Sequence, residues 1–230
     1  MSGILYLVGV IVLALIASAV VRDRLARPDR ARRLWSLAAE RGLMFTRDDS
    51  SGLTAVAFSL FERGRRKDAA GSENLLVGAW DGVPIEAIDY WYAEQVKGSY
   101  GLVADTVRFS CAATQVRAAL PPLTISREGV VSALADVVGL PDVDTELEDF
   151  NRAFDVRSSD RRFASAFLDQ RMMSWLLEQD PALAFETRGR WLLIWRPQVE
   201  VDRLPELLEA AKAFHDHVPR VVFDLFRPGG

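Results

Sequence analysis

A single cysteine, Cys111, rules out an intramolecular disulfide. It sits in the strand-like run VADTVRFSCAATQV, where a buried core thiol is the expected state. Only two histidines occur, His215 and His217, close together near the C-terminus. The thiol therefore lacks the distributed histidine partner of a cysteine nucleophile, and no Cys/His cluster with zinc spacing exists. Two residues apart on a helix, the histidines point to different faces and are poorly placed to chelate one ion. The Gly-x-Ser-x-Gly elbow, the GxxxxGK[ST] phosphate loop and the GxGxxG fingerprint are all missing. Lysine is equally scarce: Lys67, Lys97 and Lys212 are the only ones among 28 cationic residues, an arginine skew typical of G+C-rich bacterial genomes. A net charge of −4 argues against a whole-molecule nucleic-acid binder.

Acidic residues are plentiful but not arranged for chemistry. Asp142, Asp144, Glu146, Glu148 and Asp149 lack the EF-hand spacing and its central glycine, so they read as solvated charge. Glu86 and Asp89 flank an aromatic run, yet three positions apart on a strand they face opposite sides. Tyr90, Trp91 and Tyr92 beside them read as core and sheet-surface aromatics. The sequence thus nominates no catalytic residue, no metal ligand and no cofactor, and the expectation leans away from an enzyme.

Long apolar runs are also rare, with one exception. Gly3 to Val21 contains 19 consecutive uncharged residues, mostly Ile, Leu, Val and Ala, and a bilayer core needs about 20 in a helix. The preceding Met-Ser carries no cation, unlike the n-region of a secretory signal. Directly after the run come Arg22, Arg24, Arg27, Arg30, Arg32 and Arg33, offset by Asp23 and Asp29. Positive charge stays on the cytoplasmic side. The pattern predicts a single-pass inner-membrane protein with its N-terminus out and its C-terminal domain in the cytoplasm. A signal peptide cleaved after Ala17-Ser18-Ala19 is the alternative, and it would place the body outside.

The expected organisation is a transmembrane anchor (1–21), a basic juxtamembrane helix (22–42) and a soluble α+β domain (43–230). In the helix, Pro28 suits the first turn, Leu34, Leu37 and Ala38 form an apolar stripe with Trp35 as a further candidate member, and Gly42 suits the stop. The least regular stretch, Ser59 to Ser72, reads as a loop inside the domain. Two apolar runs follow, joined by the hairpin signal Asp81-Gly82. Further strands are expected at GLVADTVRFSCAATQV and PPLTISREG, then a short helix from Glu128 to Val138. EDFNRAFDVRSSD reads as strand and turn, followed by a helix capped by Asp160 and ended by Asp180-Pro181. ALAFETRGRWLLIWRP reads as a hairpin turning at Arg188-Gly189. A last helix after Asp202 aligns Leu204, Leu207, Leu208, Ala211 and Phe214. Clustered strands make this α+β, a mixed domain of antiparallel strands with several helices, rather than a doubly wound sheet.

The stretches NLLVGAWDGVPIEAIDYWY, LPPLTISREG, FNRAFDVRSSDRRFASAFLDQRM and GRWLLIW resemble a family of membrane-anchored bacterial proteins, of actinobacterial type and without assigned function. The resemblance spans roughly residues 35 to 220. It implies a membrane-associated domain and brings no catalytic residues with it.

Two basic segments stand out as lipid-headgroup contacts. One is the exit from the apolar run, Arg22, Arg24, Arg27, Arg30, Arg32 and Arg33. The other is Arg63, Arg65, Arg66 and Lys67 in FERGRRKDAAGSEN. Basic residues near an anionic leaflet contribute about 1 kcal/mol each. The expected role is recruitment: a tethered cytoplasmic domain that binds a protein partner, as an accessory subunit of a membrane complex. A tethered enzyme of unrecognised type and an extracytoplasmic ligand-binding domain are the competing classes.

Overall fold

The computed structural model describes residues 27–98, 101–127 and 140–227. The apolar run Gly3–Val21, Arg22, Arg24 and the helix expected from Glu128 to Val138 lie outside them. Among the described residues, no helix is long and apolar enough to cross a membrane.

One antiparallel sheet of six strands organises the chain, with the helices segregated from it as an α+β domain requires. The strands are β1 (Met44–Asp48), β2 (Ala70–Trp80), β3 (Val83–Gly98), β4 (Gly101–Ser126), β5 (Asp155–Ser158) and β6 (Ala184–Pro197). β1 to β4 form a meander, while β5 and β6 both pair with β4. The β2–β3 turn is Asp81-Gly82, with φ of 45° and 85°. Positive φ at both turn residues is what a two-residue I′ hairpin needs, and glycine supplies it without strain.

β4 is a single 26-residue strand, not the two separate strands expected from the sequence. Its register shifts between Gln115 and Leu123, around Pro121 and Pro122, which have no N–H to give the ladder. Side chains bond there instead: Thr187 Oγ1 donates to the Pro121 carbonyl at 2.7 Å and Ser158 Oγ to that of Pro122 at 2.9 Å. β6 corrects the expected hairpin at Arg188-Gly189. Both of its halves pair antiparallel with β4, from Ser126↔Ala184 to Phe109↔Pro197. Gly189, at φ 60°, therefore marks a bulge opposite the disturbed part of β4 rather than a reversal.

Seven α-helices lie among the described residues, beside two short 3-10 helices, Leu53–Ala55 and Val201–Arg203. The α-helices are α1 (27–41), α2 (Ser59–Arg65), α3 (Glu148–Ala153), α4 (Arg161–Phe167), α5 (Gln170–Glu178), α6 (Leu204–His217) and α7 (Arg220–Leu225). α1 buries Ala31, Leu34 and Ala38, whereas Trp35, a candidate for the same stripe, is exposed. It stops at Gly42, φ 67°, where the Leu43 amide donates to the Ala38 carbonyl at 2.8 Å. α2 replaces the expected loop. α3 forms where strand and turn were expected, and strand follows only from Asp155. The helix expected from Asp160 is two: Asp160 caps α4 through the Phe163 amide, and Asp169 caps α5 through the Met172 amide.

The sheet separates two apolar cores. On one face α1, α6 and the smaller helices bury Leu34, Ile85, Phe163, Phe167, Met172, Ile194, Leu208 and Phe214. On the other, α2 and the turn before it cover Leu75, Ile88, Tyr90, Tyr92, Phe109, Leu193 and Trp195. Alternation along β3 explains the division. Asp89 faces the helical layer, while Tyr90, Tyr92 and Glu94 face α2.

Candidate functional site

The arginines of the two basic segments divide into anchors and exposed groups. Arg30 turns inward from α1. Its Nε and one terminal nitrogen each donate to a carboxylate oxygen of Asp89 at 2.7 Å, and its other terminal nitrogen donates to the Val199 carbonyl at 2.6 Å. Asn74 donates a further bond to Asp89 at 2.9 Å. Ser110 Oγ accepts from the Val199 amide at 3.2 Å. This cluster joins α1, β2, β3, β4 and the segment after β6. Arg30 is thereby withdrawn from any lipid surface, because its fork is already matched by a buried carboxylate.

Arg63 corrects the sequence expectation in the same way. It is buried in α2, donates to Glu94 at 2.9 Å and lies over the Tyr92 ring. Lys67 shares Glu94 at 2.9 Å. These bonds hold the Glu94 carboxyl below its usual range, the Lys67 hydrogen bond most strongly. Arg65 is half exposed, bonding Glu62 at 2.6 Å and the Thr54 carbonyl, and Arg66 is exposed. On the helical side, Arg27 is exposed. Arg32 pairs with Asp29 at 2.7 Å in open solvent, and Arg33 pairs with Asp202 at 2.7 Å.

Arg30 reaches β3 from the helical layer and Arg63 reaches it from the opposite layer. The two basic segments therefore belong to different faces of the sheet and do not form one patch. A crevice of about 200 Å³ opens at the root of α1, lined by Arg27, Arg30 and Arg33 with Glu73, Arg108 and Glu200. Arg108 pairs there with Glu73 at 3.1 Å, so the crevice mixes both signs of charge.

A cavity of about 640 Å³ lies between residues 143–147 and α4–α5, with Leu168 and Met173 among its apolar walls. Asp169, which also lines it, is engaged as the α5 cap. Among the described residues, no group of three or more His, Cys, Asp or Glu could hold a metal ion. His217 stacks on Trp175, centroids 4.9 Å apart, and bonds the Ala213 carbonyl, while His215 contacts Asp216. Burial raises the Cys111 thiol well above its usual pKa, away from nucleophilic reactivity. Glu86 and Asp89 lie on opposite faces, as their spacing requires.

Sequence reasoning missed the Arg30–Asp89 cluster and a second buried carboxylate, Glu186. Glu186 accepts from the Ser59 amide at 2.7 Å, the Leu60 amide at 3.4 Å and Trp195 Nε1 at 2.8 Å, so β6 caps α2. No local signal could reveal a contact spanning 127 residues.

No protein-family model and no curated protein matches the chain. A solved structure does: the crystal structure of the mycobacterial trehalose monomycolate transport factor A, TtfA. The TM-score is 0.57 at 15% identity, over 81% of this chain and 93% of that one. The chain is similar to TtfA in fold. A mycobacterial neighbour also agrees with the actinobacterial character of the sequence resemblance. At this identity the likeness shows the architecture alone.

Proposed function

We propose that this protein is a membrane-tethered accessory factor of an envelope lipid-transport system. Its cytoplasmic α+β domain binds a protein component of that system. The observation that carries the reading is the fold shared with TtfA, a transport factor for a mycolate glycolipid, over four-fifths of the chain. The uncharged run Gly3–Val21 and the arginines that follow it support attachment to the inner membrane with the domain inside.

Tethering supplies the mechanism. Holding the domain at the bilayer turns encounter with a membrane partner into a local event, at effective concentrations that reach millimolar for short linkers. The Arg30–Asp89 bond matters to this reading because it fixes α1, the element nearest the anchor, to the sheet.

The test pairs topology with partnership. C-terminal fusions to reporters active only in the cytoplasm or only outside it are expected to score as cytoplasmic. Photocross-linking from the domain surface, followed by purification in mild detergent, is expected to trap a component of a lipid transporter. An active extracytoplasmic reporter would overturn the topology. Cross-links confined to the protein itself would overturn recruitment.

A further inference from the structure

We infer that one exposed flank of α1 lies on the surface of an anionic bilayer, with Trp35 seated at headgroup depth. The inference rests on the tethered reading above and adds the surface that makes contact. Pro28, Arg32, Trp35 and Ala39 follow one another at spacings of four, three and four, so they form one stripe along α1. All four are exposed, about a quarter turn round the helix from the buried Ala31, Leu34 and Ala38, whereas the face directly opposite those carries Asp29, Ser36 and Glu40. Trp35 is 62% exposed although the apolar residues beside it, Leu34 and Leu37, are packed into the core or against it. An indole in that position has a large apolar body and a polar N–H, the combination that favours the membrane–water interface.

The chain itself supplies the bilayer as occupant. The apolar run ends at Val21, and the described helix begins six residues later at Arg27. Six residues reach at most about 20 Å, and α1 is about 22 Å long at 1.5 Å per residue. On the tethered reading the start of α1 therefore stays within about 20 Å of the bilayer. The stripe is also held in place on the domain, since Arg30 is clamped by Asp89. Arg27 and Arg32 add exposed positive charge toward the anchor. The Arg32 bond to Asp29 is an exposed pair, which lipid phosphate can exchange at little cost.

The test uses the full chain reconstituted into vesicles of phosphatidylcholine and phosphatidylglycerol. Subtracting the fluorescence of Trp35→Phe from that of the wild type isolates the Trp35 signal. Melting of the variant at the wild-type temperature confirms that it folds. Lipids brominated on the acyl chains are expected to quench the Trp35 signal, with weaker quenching when phosphatidylglycerol is omitted. Acrylamide quenching without any bromolipid quenching would overturn the inference and place Trp35 in water or against a protein. Alkaline carbonate extraction of the same vesicles separates the two readings. Release of the protein would overturn the tether and the contact together, whereas retention without bromolipid quenching would overturn the contact alone.

Discussion

Arg30 and Asp89 form a bidentate ion pair, two nitrogens each 2.7 Å from a carboxylate oxygen, with side chains 15% and 5% exposed. The pair links α1 with the central meander. Removing one partner of such a pair strands the other charge in a dry site. Asp89→Ala is expected to destabilise the domain by about 3–5 kcal/mol, read as a loss of denaturant midpoint in detergent solution. Hydrogen exchange in α1 should accelerate most. Arg30→Met with Asp89→Leu should recover much of the loss, since no charge is left unpaired.

Glu186 and Glu94 predict opposite pH dependences. Burial raises the Glu186 pKa against the three hydrogen bonds it accepts. A carboxyl whose folded pKa exceeds its unfolded value favours folding most below the unfolded value, and that contribution is lost as pH rises through the folded one. The stability of wild type relative to Glu186→Gln should therefore increase on acidification from neutral pH.

The Glu94 carboxyl titrates in the other direction. Its pKa is lowered, first by the Lys67 hydrogen bond. Its contribution is present above the unfolded value and lost as pH falls through the folded one. Wild type should exceed Glu94→Gln at neutral pH, by an amount that shrinks in acid. Denaturation curves of the two variants across pH check both signs against one wild-type series.

Gly64 predicts a steric failure. A Cβ at this position would lie 1.8 Å from the Tyr90 hydroxyl oxygen and 2.8 Å from the ring carbon that carries it. Gly64→Ala should lose about 1–3 kcal/mol, the usual cost of overpacking. Adding Tyr90→Phe removes the nearest atom but not the ring, so thermal melting should show partial recovery.

How much of this was legible follows from the range of each interaction. The Asp81-Gly82 turn, the stop at Gly42, the Asp160 cap and the α6 stripe depend on neighbours within a few residues, and the sequence pattern predicts them. The Asp169 cap is equally local, but it falls inside one apolar period, which masks the break between α4 and α5. α2 and β6 depend on distant partners. Ser59 to Arg65 carries arginines that suit a loop, yet Glu186 satisfies its first amides and Glu94 binds Arg63. Arg188-Gly189 has turn chemistry, but β4 pairs with both sides of it. The basic segments were legible as charge, whereas the inward turn of Arg30 and Arg63 was set by acids on β3.

The most direct test of the proposed role measures envelope-lipid transport in living cells. Envelope lipids of a strain lacking the protein are pulse-labelled, and the surface-extractable pool is compared with the pool retained inside. The account predicts that a lipid conjugate accumulates inside and falls at the surface. The full chain should restore the surface pool, and a chain lacking residues 1–26 should not. An unchanged surface pool, or full restoration by the chain without its apolar run, would contradict a tethered transport factor.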